Sequence, residues 1–455
     1  MERQAILGGP PPVTSGAEDS DRMATRAVAG ATIGTALEWF DFALYGTVAA
    51  TVFPDLFFPA ADPNTSLLAS LATFGVGLAA RPLGAIVCGH LGDRWGRRNL
   101  MLATVSTMGL ASLLIGLLPG YGQIGVLAPM LLVLLRIVQG FALGGESTGA
   151  QLMALEYARA DRRGRYSGLL GICSPLSQIL ANAVLFGLAS SMAPADFQAW
   201  GWRIPFLLSL VLVLVGVYIR RRVAETPAFR ALQHTRTAHV GSPLRDVLRL
   251  HYRMILRLMF FFCGPAALFY LIVVFSLGYM TKNLGVPRQT GFLILMAANA
   301  CAIVGAMAGG ILSDRIGRRK ALALGSIATL LLGLVYFQVL NTRELPWMIA
   351  AMGLFLGFTQ FQSGIQPVWF AEAFPTNVRY SGSALAYSGA NLLTGGPMPV
   401  VAVWLLQMFH GSPWAVVAVC GGLNVLSLLM ILTGPETRGW DMNRVDAPGR
   451  IDKAS

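Results

Sequence analysis

Five charged side chains interrupt long apolar stretches of this chain, and their types could do chemistry. They are Glu38, Asp41, Arg81, Arg136 and Glu146. A charge at the centre of a bilayer costs about 2.5 to 3.5 kcal/mol on insertion scales, so such residues usually face a cavity or a partner. A guanidinium can bind a carboxylate through two parallel hydrogen bonds, and a buried acid can take up a proton. The set therefore predicts recognition of an anion together with proton binding.

Helical spacing places these side chains on two polar faces. Glu38, Asp41 and Tyr45 follow one another after three and four residues, so they share one face of a first helix. Arg136 and Gln139 belong to a second polar stripe, on the fourth apolar run. We favour Asp41 as the main proton carrier because it lies near the middle of its run, and coupled acids titrate as a set. The predicted proton-coupling residues are Asp41, Glu38 and Glu146.

Two further apolar runs, the seventh and the tenth, offer neutral polar groups. The seventh carries Tyr270 among other aromatic residues, and the tenth carries Gln362 and Gln366. Such glutamines can equally form hydrogen bonds between helices, and buried arginines or acids can simply pair with one another, so both interpretations stay open. The predicted substrate-binding residues are Arg81, Arg136, Gln139, Tyr45, Tyr270, Gln362 and Gln366.

The composition places the whole chain in a lipid bilayer. Its 455 residues are 55% hydrophobic and only 12% charged, whereas soluble domains carry about 25% charged residues. A net charge of +12 could indicate a nucleic-acid partner, but the basic residues fall in short loops between apolar runs. Membrane topology explains this charge better, and we expect the partners to be lipid, protons and a small molecule, with no nucleic acid.

Twelve apolar runs are long enough to cross a bilayer, since a spanning helix needs about 20 residues. The fold class predicted from them is an all-α membrane protein with twelve transmembrane helices. The predicted spans are residues 27–53, 67–91, 99–118, 125–152, 166–191, 203–219, 254–281, 289–312, 320–340, 346–371, 380–407 and 413–433.

The distribution of lysine and arginine predicts the orientation. If both termini are cytoplasmic, cytoplasmic segments hold 28 of the 34 basic residues and the outer loops hold four, as expected when positive loops stay inside. The longest loop follows the sixth span and is strongly basic. The predicted organisation is a disordered cytoplasmic tail at 1–26, a six-helix bundle at 27–219, a cytoplasmic linker at 220–253, a second bundle at 254–433 and a cytoplasmic tail at 434–455.

The chain contains an internal duplication. The turn Gly89-His-Leu-Gly-Asp-Arg-Trp-Gly-Arg-Arg98 returns 221 residues later as Gly310-Ile-Leu-Ser-Asp-Arg-Ile-Gly-Arg-Arg319. Two shorter elements recur in the same order and at similar offsets, which predicts two parallel halves related by an axis along the membrane normal. The shorter pairs are Arg165-Tyr-Ser-Gly168 with Arg379-Tyr-Ser-Gly382, and Ala224-Glu-Thr-Pro227 with Pro435-Glu-Thr437.

The sequence shows no catalytic or metal-binding constellation. The five cysteines lie in or beside apolar runs without the close spacing of a metal site. The intramembrane residues include no nucleophile paired to a base. We therefore expect a protein that is not an enzyme and that needs no cofactor and no metal. A transporter-like sensor would carry an added soluble signalling domain, which the sequence does not indicate.

Together these motifs resemble a known family. The twin turns resemble the signature of the major facilitator superfamily, and Leu132-Val-Leu-Leu-Arg136-Ile-Val-Gln139-Gly140 resembles its fourth-helix motif. More narrowly, the chain resembles the metabolite:proton symporter family, whose members import 2-oxoglutarate, citrate, shikimate, aromatic acids, proline or betaine. The motifs behind this narrower resemblance are Glu38-Trp-Phe-Asp41-Phe, Ala80-Arg-Pro-Leu-Gly84, Gly140-Phe-Ala-Leu-Gly-Gly-Glu146 and Trp200-Gly-Trp-Arg-Ile-Pro-Phe206.

The resemblance implies two pseudo-symmetric six-helix bundles that alternate access to a central site, with the proton gradient as the energy source. It also implies that Asp93 and Asp314 act as gates, each near the start of a helix in the opposite half, where a helix N-terminus attracts a carboxylate. The gating residues implied in this way are Asp93, Arg97, Asp314, Arg318, Arg165 and Arg379.

The function expected from these observations is proton-coupled import of a small carboxylate across a bacterial inner membrane by a monomer. A symporter for a zwitterion such as proline or betaine is the alternative, in which an acid such as Glu38 would face the cationic group. Two departures bear on the substrate. Ser147 follows Glu146 where many relatives carry an aromatic residue, and the short polar end of the chain lacks the heptads of a coiled coil, which counts against betaine.

Overall fold

The computed structural model describes most of the chain. It covers residues 36, 38–59, 62–95, 97–144, 151–152, 155–156, 158–209, 249–376, 378–440 and 442, and of these it describes residues 85, 86 and 88–101 by their backbone alone. The predicted N-terminal tail, most of the predicted linker and most of the predicted C-terminal tail lie outside this part.

The described residues are almost entirely helical, because apolar segments in a bilayer must satisfy their backbone groups internally. Within this described part, eight helices are long and apolar enough to cross a membrane. In chain order the helices are α1 (38–51), α2 (Pro63–Trp95), α3 (Arg97–Leu117), α4 (Leu127–Leu143), α5 (Arg163–Ser191), α6 (from 204 to 209 in the described part), α7 (Tyr252–Asn283), α8 (Arg288–Ile316), α9 (Arg318–Leu340), α10 (Leu345–Ala373), α11 (Arg379–Met408) and α12 (Trp414–Leu432).

Most helix ends fall within about four residues of those expected, but α4 ends at Leu143, whereas the predicted fourth span continued to residue 152. Two smaller differences are also informative. The first predicted span continued to residue 53, but α1 stops at residue 51 and a separate short helix, Phe53–Phe57, begins with Pro54 in its first turn. The linker was predicted to reach residue 253, whereas α7 already starts at Tyr252. The hydrophobicity of the sequence alone did not predict either boundary.

The seventh helix lies at the centre of the molecule. In the most apolar stretch of 18 residues of α7, 89% of the residues are buried. The corresponding share is 33% in α9 and in α12, which therefore face lipid. Two π-helical turns, Leu271–Phe275 and Tyr279–Asn283, interrupt α7, and a third, Asn391–Gly395, interrupts α11. Such turns shift the register of a helix and are common at functional sites.

Glycines let helices pack backbone against backbone at corresponding helix crossings in the two halves. In the first half, a Cβ at Gly140 would lie 2.0 Å from the carbonyl oxygen of Gly77, which joins α4 to α2. In the second half, a Cβ at Gly305 would lie 2.0 Å from the carbonyl oxygen of Gly357, which joins α8 to α10. The matching α2–α4 and α8–α10 crossings show the duplication in three dimensions, with small residues at the interface as is typical in membranes.

We predict that Gly140→Ala destabilises the protein although alanine is the better helix former. The new methyl group must push α4 away from α2, and this cost exceeds the gain in helix propensity of up to about 1 kcal/mol. Gly187→Ala on α5 is the matched control, because a Cβ there meets nothing within 4 Å. Thermal unfolding of the purified proteins in detergent should show a lower Tm for Gly140→Ala only. Equal Tm values would contradict the close crossing.

Candidate functional site

Arg136 on α4 is the central residue of the candidate site. Its side chain is 1% exposed, and its guanidinium carbon lies 3.9 Å from the ring centroid of Tyr45, 5.0 Å from that of Phe42 and 5.4 Å from that of Phe74. The two rings of α1 and the ring of α2 thus surround the cation, and each can stabilise it through its π-face. The spacing of Phe42 and Tyr45 on α1 brings both rings to the same side.

A chain of hydrogen bonds connects Arg136 to Asp41. Nη1 of Arg136 donates to the side-chain oxygen of Gln139, one turn along α4. Nε2 of Gln139 donates to Oγ of Ser112 on α3 at 2.8 Å, and Ser112 donates to Oδ2 of Asp41 at 2.8 Å. The other carboxylate oxygen of Asp41 accepts a hydrogen bond from Ser209 on α6. Four helices of the first half therefore position one buried acid and one buried cation.

Several donors around Arg136 have no partner among the described residues. They are Nε and Nη2 of Arg136, Nε of Arg81 and the hydroxyl of Tyr270, all buried. The Arg81 guanidinium carbon lies 4.6 Å from the Phe42 ring centroid. The Tyr270 ring lies 5.9 Å from that of Phe42 and 5.5 Å from that of Phe74. A buried donor left without a partner costs about 1 to 3 kcal/mol, so this convergence is suited to an anion.

Tyr45 contributes to the candidate site mainly through its aromatic ring, because its hydroxyl is engaged elsewhere. The hydroxyl is 2.5 Å from Oγ1 of Thr73 on α2, and Thr73 in turn donates to the carbonyl oxygen of Ser70. With its hydroxyl engaged, Tyr45 supports the Arg136 guanidinium through the face of its ring. The sequence had placed Tyr45 among the substrate-binding residues, and the structure places it directly beneath the arginine.

The two glutamines of α10 occupy different surroundings. The amide of Gln362 accepts from Ser326 at 2.8 Å and donates to Thr329 at 3.3 Å, both on α9. This pattern corresponds to the hydrogen bonding between helices that the sequence left open as an alternative to binding. Gln366 lines a small cavity together with Gln151 of the first half and Tyr387 of α11. Gln366 is thus the one of the two that faces the opposite half.

The remaining predicted acids are only partly described. Glu38 is buried on α1, within electrostatic reach of Tyr387 on α11. Glu146 lies outside the described residues, and so do the side chains of Asp93 and Arg97. Their roles remain predictions.

One end of the molecule, here called the motif side, holds the second copy of the repeated turn (residues 310–319) and the starts of α5 and α11. Oδ1 and Oδ2 of Asp314 accept hydrogen bonds from the backbone N–H groups of Gly164 and Arg165, both at 2.8 Å. These amides belong to the first turn of α5, where the helix dipole favours a negative charge. Arg165 therefore takes part through its backbone. The contact joins the second half to the first, in the arrangement that the family resemblance implied.

Arg318 holds this carboxylate and a second acid, Glu372, at the motif side. Nη1 of Arg318 donates to Asp314 at 2.6 Å, while Nε and Nη2 donate to the two oxygens of Glu372 at 3.2 and 3.1 Å. Both oxygens of Glu436 accept from the first backbone amides of α9, at Arg318 and Arg319. Sequence analysis missed Glu372 because it follows the predicted tenth span by one residue.

Glu436 could have been found from the sequence. It lies in Pro435-Glu-Thr437, which recurs in both halves, and Thr437 donates to Glu372 at 2.7 Å. The repeated element thus carries a helix cap and not a substrate ligand. Nearby, Arg379 at the start of α11 donates to Glu156 at 2.8 Å and to the carbonyl oxygen of Ala371. The first of these bonds is another bridge between the halves.

The opposite end is also closed by polar contacts between the halves. The carboxylate of Asp55 accepts from Lys282 on α7 at 2.5 Å and from Arg288 on α8 at 3.2 Å. Asp62 accepts from Gln407 on α11 at 3.1 Å, and its pKa is lowered mainly by the hydrogen bond from the Thr65 hydroxyl. In the sequence, Lys282 and Arg288 are two of the four basic residues of the predicted outer loops, and their only predicted role was in topology. The described residues thus join the halves on both sides of Arg136.

Comparison with known proteins gives the family. The sequence model of the sugar (and other) transporter family matches residues 27–240 and 233–447. The chain belongs to this family. It is therefore a member of the major facilitator superfamily, and its architecture is the two-bundle fold of twelve transmembrane helices.

The curated relatives of this superfamily member are transporters of small metabolites. The inner membrane metabolite transport protein YhjE of Escherichia coli is 37% identical over 88% of the chain and 92% of its own length. The shikimate transporter of Escherichia coli is 35% identical over 87% and 91%. The proline/betaine transporter of Salmonella typhimurium is 32% identical over 89% and 83%. These names establish transport as the general activity of the relatives.

Solved structures confirm the major facilitator fold. The proton:xylose symporter XylE, bound to 6-bromo-6-deoxy-D-glucose, aligns with a TM-score of 0.73 over 93% of this chain and 98% of its own. The partially occluded inward-open form of XylE from E. coli aligns with a TM-score of 0.70, over 92% and 99%. At 17% and 16% identity the likeness concerns the fold alone.

We predict that Asp314→Ala opens the motif side of this transporter. The contact of a carboxylate with a helix start is worth up to about 2 kcal/mol, and its loss should shift the balance between closed and open by about 5- to 30-fold. Spin labels at the exposed positions Asp161 and Lys320, one in each half, would report a longer separation in the variant. Glu344→Ala, an exposed acid at the other end, is the control. An unchanged distance distribution in Asp314→Ala would refute this role of the contact.

Proposed function

We propose that this protein is a proton-coupled secondary transporter that imports a small carboxylate by alternating access. The proposed location is a bacterial inner membrane, with both termini cytoplasmic. The single observation that carries the proposal is the set of buried donors on two arginines, Nε of Arg81 and Nε and Nη2 of Arg136, which lack partners among the described residues. The structural contacts below, together with the transporter family, support it.

The free donors of Arg136 lie on the edge of the guanidinium that suits a carboxylate. Nη1 is occupied by Gln139, which leaves Nε and Nη2, whose N–H bonds are parallel. The same edge of Arg318 binds both oxygens of Glu372 in this protein. A Cβ at Gly77 would lie 2.6 Å from Nε of Arg136, so a larger residue at this position would clash with this edge.

Proton coupling follows from the charges around the site. Asp41 is buried and connected to Arg136 through Ser112 and Gln139. An anionic substrate on Arg136 adds negative charge to a site of low dielectric, and this favours proton uptake by a nearby acid. Substrate and proton then bind together, and neither needs a cofactor. Glu38 and Glu146 belong to the same coupled set in this proposal.

Symport of a zwitterion is the second candidate, and one observation favours it. Trp39, Phe42, Phe269 and Tyr270 form a chain of edge-to-face contacts between α1 and α7. Aromatic faces of this kind bind quaternary ammonium groups, and one relative is named for proline and betaine. However, the Phe42 ring already carries the Arg81 guanidinium, which repels a second cation. The carboxylate is therefore preferred.

Uptake by proteoliposomes under an imposed pH gradient separates these candidates. A panel of labelled monocarboxylates, dicarboxylates, proline and betaine should show accumulation of at least one carboxylate, driven by an acidic exterior. Accumulation of betaine or proline alone would support the second candidate. Binding of a panel member without uptake would support a sensor and overturn the transport proposal.

We predict that Arg136→Lys weakens carboxylate binding although the charge is retained. Lysine lacks the planar fork of donors, and loss of a charge-assisted hydrogen bond costs about 1.5 to 3 kcal/mol, or roughly a 10- to 100-fold rise in Kd. Binding of the accumulated carboxylate to the purified protein measures this. Arg253→Lys, at an exposed position of α7, is the control and should bind normally. Near-normal affinity in Arg136→Lys would count against recognition by both donors.

We predict that Asp41→Asn abolishes accumulation driven by the pH gradient and leaves exchange of substrate across the membrane largely intact. Asparagine keeps the shape and an acceptor oxygen but cannot release a proton. Counterflow and gradient-driven uptake in the same proteoliposomes separate the two activities. Asp196→Asn, an exposed acid in the short helix Pro194–Ala199, should retain both. Accumulation that survives in Asp41→Asn and in Glu146→Gln would place the coupling site elsewhere.

A further inference from the structure

The contacts of Ser112 on α3 connect the proposed proton carrier to the proposed substrate ligand. Its hydroxyl donates to Asp41 at 2.8 Å and accepts from the side-chain amide of Gln139 at 2.8 Å. Gln139 in turn accepts from Nη1 of Arg136. The side chain of Ser112 is fully buried and that of Gln139 is 1% exposed. Solvent water therefore has no access to these hydrogen bonds in the described structure.

We propose that Ser112 is a positioning residue that, through Gln139, transmits the protonation state of Asp41 to Arg136. This inference rests on the proposed function, in which Asp41 carries the proton and Arg136 binds the anion. It adds the physical route by which one event changes the other.

The direction of the hydrogen bonds is set by the charge of Asp41. A serine hydroxyl has one proton, and a carboxylate can only accept, so Ser112 must donate to an ionised Asp41. Its oxygen then accepts from Nε2 of Gln139, which turns the other end of that amide, Oε1, towards Arg136. Every donor in the chain consequently points towards Asp41, and Nη1 of Arg136 is satisfied.

Protonation of Asp41 reverses this order. In the proposed relay the added proton lies on Oδ2, so the carboxylic acid becomes the donor to Ser112, and Ser112 directs its own proton to Gln139. The amide then rotates so that Oε1 faces Ser112 and the NH2 group faces Arg136, where it cannot accept. Asp41 takes the proton from the outer solution and later releases it inside, and no other covalent bond changes. Arg136 has lost its acceptor, so its affinity for an anionic substrate rises.

This coupling has the sign that symport needs. Proton binding strengthens substrate binding, and by linkage the substrate strengthens proton binding by the same factor. The groups that face Asp41 in the described structure are the hydroxyls of Ser112 and Ser209, on α3 and α6, and the charge of Arg136 on α4. Glu146 on the continuation of α4 lies outside the described residues.

Ser209 provides a matched comparison. It also donates to Asp41, and it lies 3.2 Å from a second acceptor, the carbonyl oxygen of Pro205. In the described structure its hydroxyl makes no hydrogen bond to Gln139. Ser209→Ala therefore removes one hydroxyl from Asp41, as Ser112→Ala does, but leaves the connection to Arg136 intact.

Infrared difference spectroscopy of the purified full-length protein, between acidic and alkaline pH, tests the relay without any substrate. Bands of the Asp41 carboxyl group are assigned with Asp41→Asn, and guanidinium bands of Arg136 with Arg136→Lys. In the unaltered protein both sets should change over the same pH range. Ser112→Ala should keep the Asp41 change and lose the Arg136 change, whereas Ser209→Ala should shift the Asp41 change along the pH axis and keep the Arg136 response.

Two further variants keep the test decisive. Ser112→Thr retains the hydroxyl and should keep the Arg136 response. Gln139→Met breaks the hydrogen-bond chain at its other link and should also abolish the Arg136 response. It therefore replaces Ser112→Ala in the test if that variant does not fold. An Arg136 response that persists in both Ser112→Ala and Gln139→Met, or that persists in the one that folds, overturns the relay alone. A carboxyl band of Asp41 that does not change over this pH range overturns both the relay and the assignment of Asp41 as proton carrier.

Discussion

The burial of one guanidinium is the constraint on which the rest of this structure depends. Arg136 is 1% exposed, and an ionised group in a medium of low dielectric is costly unless it is paired or surrounded by compensating groups. Aromatic faces from α1 and α2 surround it, and Gln139 and Ser112 connect it to Asp41. These contacts still leave two donors unsatisfied. The remaining demand for an acceptor is what makes this centre suitable for an anionic substrate.

The two halves share the same pattern of helix packing but carry different functional side chains. The corresponding α2–α4 and α8–α10 crossings both depend on close approach at glycines, so each half contains a closely packed pair of helices that can carry different side chains. The first half supplies the charged centre. The second half contributes Tyr270 to that centre, while Gln362 joins α10 to α9. A duplicated scaffold can thus carry an asymmetric site, because side chains diverge more freely than helix crossings.

The contacts at the two ends differ in physical kind. At the motif side a carboxylate, Asp314, binds the first amides of α5 and is held by Arg318. At the other end Asp55 meets Lys282 and Arg288 in partly exposed ion pairs, and such pairs are worth little in water. The first contact depends on backbone geometry and the second on screened charges. In alternating access, we therefore expect the end that holds Asp55 to open at a lower free-energy cost than the motif side.

By itself the sequence determined the membrane environment, the helix count, the duplication and the set of intramembrane charges, because hydrophobic length and charge cost act locally along the chain. It also marked Asp41, Arg136 and Gln139 by their spacing on helices. Only the tertiary structure decided that Ser112 connects these residues, that Gln362 pairs with α9 and that Glu436 caps α9. A serine or glutamine in an apolar run has the same local pattern whether it binds a substrate, a helix end or another side chain. Its partner is chosen by how helices far apart in sequence pack together.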